Sequence, residues 1–264
     1  MTTPLEDLFT NIRGERAALI AYIPAGFPTI EGCHRVIQAF VDGGVDAIEI
    51  GFPYSDPVMD GPTIQAAAVT ALHNGTSVED VLDALEVAAS KVPSVVMTYW
   101  NPIEKYGVEK FASAISAKGG SGVSHPDITI EESGQWLAAA DSARVNPIYV
   151  VAPSTKDERL AQVTDKCEGF IYAASVMGVT GARSAVSGGA QSLVARIRSV
   201  SDKPVAVGLG VSTREQAREV AAYADGVIVG SAFVKAILDA PSFEEGLSAV
   251  TALARELSEG VRGC

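Results

Sequence analysis

Short apolar stretches rich in β-branched residues alternate along the chain with longer, Ala-rich segments of helical period. Near-continuous apolar runs of this kind are typical of strands that are buried on both faces, as in a parallel sheet. The pattern predicts eight strands, at residues 17–23, 47–51, 94–98, 122–125, 147–151, 169–172, 205–208 and 226–229.

The segments between the strands predict helices with recognisable ends. Ser77 followed by Asp80 is a capping pattern, and a Gly pair at 43–44 suits a left-handed helix end. A further helix is expected at the N-terminus, at about 3–13. The other predicted helices cover residues 29–43, about 77–90, 105–118, 131–143, 157–164, 191–199, 213–222 and 243–259.

Eight strands, each followed by a helix and without a linker between them, indicate a (β/α)₈ barrel, the TIM barrel of the α/β class. The 264 residues are close to the usual size of about 250 for this fold, so we expect residues 1–264 to form a single domain. The alternative is a doubly wound open sheet, but no GxGxxG follows the first strand.

Composition narrows the function. The chain has 20 Lys and Arg against 32 Asp and Glu, a formal charge of −12, which disfavours nucleic acid and anionic membranes as partners. Its three cysteines form no disulfide framework or zinc pattern, its start is acidic, and no apolar run approaches a bilayer span. These features predict a cytoplasmic protein.

One carboxylate interrupts the second strand. If Ile48 and Ile50 face the helices, alternation points Glu49 into the barrel mouth, where active sites of this fold lie. Burial raises the pKa of a carboxyl group toward the range useful for acid–base catalysis. The alternative interpretation is a structural carboxylate paired with a core Arg or Lys.

Asp56 and Asp60 lie in the Pro- and Gly-rich loop after the second strand. Asp-Pro and Asp-Gly are ordinary turn dipeptides, so each aspartate taken alone favours a structural role. Two acids above one barrel mouth nevertheless keep a catalytic role open beside the structural one.

Glycine-rich loops follow the last three strands, at 175–183, 208–212 and 230–232. Backbone amides of such loops commonly bind phosphate in this fold, and glycine lets the oxygens approach closely. The segment 175–189 is long for a connection of this type, so we interpret it as a lid.

The sequence lacks the residues that other types of catalysis would need at the ends of the strands. No Lys ends a predicted strand, which disfavours a Schiff-base aldolase, and the three histidines form no zinc motif. His125 ends the fourth strand, where packing is the commoner role, and Cys33 lies in a helix without a paired base. The residues therefore favour carboxylate acid–base catalysis on a phosphorylated substrate, without a metal or cofactor.

The run at 49–65, EIGFPYSDPVMDGPTIQ, closely resembles the signature of the tryptophan synthase α chain family. Further matches follow in order over nearly the whole chain. They are MTYWNP at 97–102, PD at 126–127, YAAS at 172–175, GVTG at 178–181, GLGVS at 208–212 and DGVIVGS at 225–231.

The resemblance implies a lyase that cleaves indole-3-glycerol phosphate to indole and glyceraldehyde 3-phosphate, within an enzyme of the carbon–oxygen lyase class. It implies that Glu49 is the general acid–base and that Asp60 assists at the indole nitrogen. The implied substrate-binding residues are Tyr22, Ile64, Val150, Tyr172, Thr180 and Leu209, and the implied phosphate-binding residues are Gly181, Gly210, Gly230 and Ser231.

The resemblance also implies an α₂β₂ complex with a β chain that holds pyridoxal phosphate and receives the indole. Asp56 would then lie at the contact with the β chain. This chain departs from the family pattern in Leu209, where an aromatic residue is usual, in Tyr22, where Phe is common, and in Ser124-His125, which replaces an apolar pair. A serine facing the indole pocket would lose apolar contact or could reach a polar atom.

Two alternatives stay open at this point. One is another barrel enzyme of aromatic or histidine biosynthesis with similar phosphate loops, although such an isomerase would need a second acid or a Cys in the first strand. The other is a catalytically weak subunit that mainly activates its β partner, against which the intact Glu49 and Asp60 argue.

Overall fold

The computed structural model describes residues 2–174, 188–208 and 210–263, and it contains a closed barrel of eight parallel strands in chain order. The last strand pairs with the first, which confirms the predicted (β/α)₈ barrel and excludes the open sheet. The strands are β1 (Ala18–Pro24), β2 (Ala47–Gly51), β3 (Ser94–Met97), β4 (Gly122–His125), β5 (Asn146–Val151), β6 (Ile171–Ala174), β7 (Val205–Gly208) and β8 (Gly226–Val229).

Twelve helices in the described part of the chain surround the barrel or close its lower end. They are α1 (Pro4–Ile12), α2 (Ile30–Asp42), α3 (Pro62–His73), α4 (Val78–Ala89), α5 (Trp100–Tyr106), α6 (Val108–Ala117), α7 (Gly134–Ala143), α8 (Asp157–Lys166), α9 (Gly188–Arg198), α10 (Arg214–Ala221), α11 (Ser231–Leu238) and α12 (Phe243–Arg262). Within these described residues, no helix combines the length and apolar character needed to cross a bilayer.

The predicted helix ends are largely found, with one refinement. Ser77 Oγ accepts a hydrogen bond from Asp80 N, and the Asp80 side chain accepts one from Ser77 N, which is a complete capping box. In the Gly pair after α2, Gly43 keeps right-handed dihedrals and Gly44 adopts the left-handed conformation, with φ of +84°.

Several element boundaries differ from the prediction for backbone reasons. The single helix expected at 105–118 is two helices, because Gly107 has φ of +99° and interrupts the helix. Strand β6 begins at Ile171 rather than at Gly169, whose φ of +71° is incompatible with a strand. Helices α3 and α11 were missed, since their starts lie inside Pro- and Gly-rich segments that resemble loops.

Apolar side chains pack in two regions, one between the strands and the outer helices and one inside the barrel. Leu5, Phe9 and Ile12 of α1 join the inner cluster, so this helix closes the N-terminal end of the barrel. Any cleft that reaches the barrel interior must therefore open at the C-terminal end.

The strand register arranges the inward side chains in layers. When the register is followed around the barrel and the tilt of the strands is included, the even-numbered strands contribute one residue each to a common layer. The members of this layer are Glu49, Ser124, Tyr172 and Ile228.

Candidate active site

A cleft opens at the C-terminal end of the barrel, directly above that layer. Its volume, including the open mouth, is about 500 Å³, which suits a small organic ligand. The residues that line it are Tyr22, Glu49, Met59, Asp60, Ile64, Met97, Tyr172, Gly208, Gly210, Ile228, Gly230 and Ser231.

Glu49 lies at the base of the cleft and is 1% exposed. Ile48 and Ile50 pack in the outer cluster, so alternation turns Glu49 inward, as predicted. Burial, and secondly the charge of Asp60, raise the pKa of Glu49 to about 8. No ion pair to Glu49 occurs within the described residues, which argues against a purely structural carboxylate.

Asp60 lies in the loop after β2 and is 8% exposed. Burial raises its pKa to about 6, although a hydrogen bond with the Tyr99 side chain acts in the opposite direction. Two contacts hold this loop: Gln65 Nε2 donates to the Asp60 carbonyl oxygen at 2.8 Å, and Met59 N donates to the Tyr99 hydroxyl at 3.3 Å.

The two acids differ in pKa because Glu49 is more deeply buried than Asp60. Between about pH 6 and pH 8, Glu49 therefore carries a proton while Asp60 is ionised. Two carboxyl groups with separated pKa values in one cleft form a proton donor and a fixed anion at neutral pH.

Two tyrosines line the cleft, Tyr22 and Tyr172, and two glycines make room for them. A Cβ at Gly51 would lie 2.2 Å from the Tyr22 hydroxyl, and a Cβ at Gly208 would lie 2.6 Å from the Tyr172 hydroxyl. Both phenols are buried, so the pKa of each is raised well above its usual value and both stay neutral.

Gly208→Ala is expected to narrow the cleft and weaken substrate binding. The added methyl group would displace the Tyr172 ring, and overpacking of this kind costs about 1–3 kcal/mol. We expect KM for the substrate to rise about tenfold. Gly134→Ala is the matched control, because a Cβ there meets nothing within 4 Å. Equal KM values for the two variants would contradict this role of Gly208.

The upper edge of the cleft is suited to an anion. Gly210 has φ of +70°, and Gly230 caps α11, whose first residue is Ser231. The amides at a helix start point outward with the positive end of the helix dipole, so they attract a phosphate group. These three residues, predicted as phosphate ligands, lie together at the cleft.

Other predicted site residues lie elsewhere or outside the described residues. Val150 is partly buried and packs with the inner cluster, and it is not among the residues that line the cleft. Asp56 is exposed beside Val58, which is 69% exposed, and lies outside the cleft. Thr180, Gly181 and Leu209, and residues 175–187 of the predicted lid, lie outside the described residues.

The structure adds cleft residues to which the sequence analysis assigned no role. Met97 and Ile228 point inward from β3 and β8, and strand alternation could have identified them. Met59 and the Asp60 partner Tyr99 could not be found in this way, because their positions depend on how the loop after β2 folds back over β3.

The unusual pair Ser124-His125 divides between the two faces of β4. Ser124 points into the barrel and is fully buried beneath the cleft, rather than lining it. His125 points outward, where its ring packs edge-on against Trp136 at 4.6 Å between centroids. Burial lowers the pKa of His125 to about 3, so it is neutral and acts as a packed core residue, as expected.

Comparisons with known proteins point to one family. The family model described as tryptophan synthase alpha chain matches residues 9–262. The chain is 52% identical over 262 residues to the tryptophan synthase alpha chain of Streptomyces coelicolor, covering 98% of this chain and 97% of the relative. It is 54% identical over 262 residues to that of Acidothermus cellulolyticus, with the same two coverages.

Solved structures give the same result. A structure of Mycobacterium tuberculosis tryptophan synthase superposes with a TM-score of 0.93 at 48% identity, covering 99% of both chains. The alpha subunit from Legionella pneumophila superposes with a TM-score of 0.90 at 28% identity, covering all of both chains. The chain belongs to the tryptophan synthase alpha chain family.

Proposed function

We propose that this chain cleaves indole-3-glycerol phosphate to indole and glyceraldehyde 3-phosphate, with Glu49 as general acid–base and Asp60 as a fixed anion. The observation that carries the proposal is the pair of buried carboxyl groups with separated pKa values in one cleft. As a member of its family the chain is an enzyme subunit with lyase activity, and the particular reaction is our inference.

The cleavage is a retro-aldol reaction that needs two proton transfers. Glu49 gives its proton to carbon 3 of the indole ring, which converts the ring into an electron sink. The side-chain hydroxyl then returns a proton to Glu49 as its carbon becomes an aldehyde. The electrons of the broken carbon–carbon bond restore the aromatic ring, and Glu49 ends protonated as it began.

Asp60 supports the same step electrostatically. Protonation at carbon 3 places positive charge on the ring nitrogen, and an ionised carboxylate beside the N–H stabilises that charge. The pKa of about 6 keeps Asp60 ionised at neutral pH, when Glu49 still holds its proton. Each acid therefore has the protonation state that its role requires.

The remaining cleft residues suit the rest of the substrate. Tyr22, Ile64 and Tyr172 offer an apolar slot for the indole ring, and Gly210, Gly230 and Ser231 offer backbone amides for the phosphate. By the family resemblance, we assign Val150 and Leu209 to the indole site, Gly181 to the phosphate site and Thr180 to a contact with Asp60.

Family membership implies a β-chain partner, and we propose the α₂β₂ assembly with pyridoxal phosphate in the β chain only. We assign the exposed Asp56 to the contact with that partner. We further propose that residues 1–264 form one domain with 175–189 as its lid, that the enzyme is cytoplasmic, and that the complete enzyme is a carbon–oxygen lyase.

Indole release from indole-3-glycerol phosphate tests the proposal directly. We expect slow indole formation by the purified chain, and faster formation when a tryptophan synthase β chain is added. The dephosphorylated substrate analogue should show a higher KM, because it lacks the group that the amides bind. Absence of indole under both conditions would refute the proposal, and stimulation of the β chain without indole release would favour an activating subunit.

A further inference from the structure

Ser124 is an unusual residue in the barrel layer that contains Glu49. Such layers are filled mainly by bulky branched apolar side chains, because nothing polar is present to satisfy a hydrogen-bonding group. Among the even-numbered strands that form this layer, β8 and β4 are the two nearest to β2; β8 supplies Ile228 and β4 supplies the hydroxyl of Ser124. The layer therefore brings a hydroxyl group beside the buried carboxyl.

Both groups are buried and lack a complete set of partners. Ser124 is 0% exposed and Glu49 is 1% exposed. The Ser124 Oγ and the Glu49 Oε1 atoms each have no hydrogen-bond partner of good geometry. Buried polar atoms are normally paired, because an unpaired one loses its hydration without compensation. A bond between these two atoms would satisfy both.

Among residues 2–174, 188–208 and 210–263, no other polar side chain near Glu49 is placed as well to serve as this donor. The hydroxyl groups of Tyr22 and Tyr172 lie over Gly51 and Gly208, on the cleft walls. The remaining titratable neighbour is Asp60, whose charge repels that of Glu49. The Ser124 hydroxyl is close enough to lower the pKa of Glu49 and so to offset part of the effect of burial and of Asp60.

We propose that the Ser124 hydroxyl donates a hydrogen bond to the ionised Glu49 carboxylate and is a positioning residue for it. The bond holds the carboxylate at one orientation in the moment after it has given up its proton. It also stabilises the charged form, which is otherwise the more costly form in this buried site. The bond itself is a property of the free chain, and only its catalytic use depends on the proposed function.

Titration of the Glu49 carboxyl group tests the proposal without any turnover. Carbon NMR of the chain labelled at glutamate side-chain carboxyls resolves the signal, and Glu49→Gln identifies it by its disappearance. We expect a midpoint near 8 in the unchanged chain and a midpoint about one pKa unit higher in Ser124→Ala. The midpoint rises because the Glu49 carboxylate loses a hydrogen-bond donor, and this loss disfavours ionisation.

Matched variants separate the hydroxyl group from packing. Ser121→Ala removes another buried, unpartnered hydroxyl just before β4, and it should leave the midpoint unchanged. Ser124→Thr and Ser124→Val have nearly the same shape and differ in the hydroxyl, so the Val variant should titrate about one pKa unit higher than the Thr variant. This pair keeps the test decisive if Ser124→Ala folds poorly.

Equal midpoints in Ser124→Ala and the unchanged chain, or in the Thr and Val variants, would overturn the proposal. The expected difference in a chain that releases no indole would support the Ser124 bond and reject the proposed function. Indole release with no difference in midpoint would support the function and reject the bond. The experiments therefore distinguish failure of the Ser124–Glu49 bond from failure of the proposed function.

Discussion

Glu49→Gln lowers the rate of indole formation by roughly 10²–10⁴-fold, the usual contribution of a positioned general acid–base. Glutamine has nearly the shape of the protonated acid but can neither give up nor accept the proton that the cleavage needs. Since Glu49 lies at the base of the cleft and not at its anion-binding edge, binding of glyceraldehyde 3-phosphate should change little. Steady-state kinetics and a binding titration measure the two quantities.

Glu168→Gln is the control for this variant. Glu168 is an exposed glutamate whose pKa is also raised, and it lies before β6, at the opposite end of the barrel from the cleft. We expect normal indole formation from this control. Equal rates for Glu49→Gln and Glu168→Gln would show that Glu49 does not carry the proton.

The same Glu49→Gln substitution should stabilise the folded chain at alkaline pH. The folded protein keeps a proton on Glu49 up to about pH 8, whereas the unfolded chain loses it near the ordinary value of 4.5. The unfolded state therefore binds fewer protons in this interval, so the unfolding free energy of the unchanged chain falls as the pH rises. Above about pH 8, Glu49 is ionised in both the folded and the unfolded state, and the unfolding free energy falls no further on its account.

The expected difference in unfolding free energy between Glu49→Gln and the unchanged chain is large. Each pKa unit corresponds to about 1.4 kcal/mol, so the variant gains several kcal/mol across the interval. For a chain of this length, that corresponds to a Tm higher by roughly 5–15 °C at pH 9. At pH 4 the two Tm values should nearly coincide. Thermal unfolding at both pH values tests this, and a constant difference at all pH values would contradict the raised pKa of Glu49.

Burial of Glu49 thus couples its proposed reactivity to a loss of stability of the folded chain. A carboxyl group with its ordinary pKa would be ionised at neutral pH and would be a poor proton donor to carbon. Burial in the barrel raises the pKa, so that the group stays protonated at neutral pH, but the ionised form then destabilises the fold. Removal of the acid should therefore relieve that destabilisation and, in the same variant, slow indole formation.

Much of the fold and part of the site follow from the sequence by simple periodicity. The alternation in β2 predicts that Glu49 points inward, since its neighbours Ile48 and Ile50 are apolar. The glycines at the ends of β7 and β8 predict which edge of the cleft we propose for the phosphate, and these residues do line the cleft. These features depend on which way side chains point along a strand and on where the strand ends, and the local sequence pattern predicts both.

The remaining features depend on contacts between distant segments. Tyr99 supports the Asp60 loop only because the end of β3 lies beneath it. Ser124 lies beside Glu49 because of the register across three strands, which no local pattern specifies. The sequence marks Ser124 as unusual but does not identify the atom that it reaches.

The alkaline limb of the pH dependence of kcat/KM for indole release shows whether Glu49 must carry a proton when the substrate binds. This ratio reports the ionisations of the free enzyme and the free substrate, and the acidic limb near pH 6 also contains the second ionisation of the substrate phosphate. The alkaline limb is free of that overlap. If Glu49 must begin protonated, kcat/KM falls tenfold per pH unit above about pH 8. A kcat/KM that stays constant from pH 7 to about pH 10 would show that Glu49 is not the proton donor.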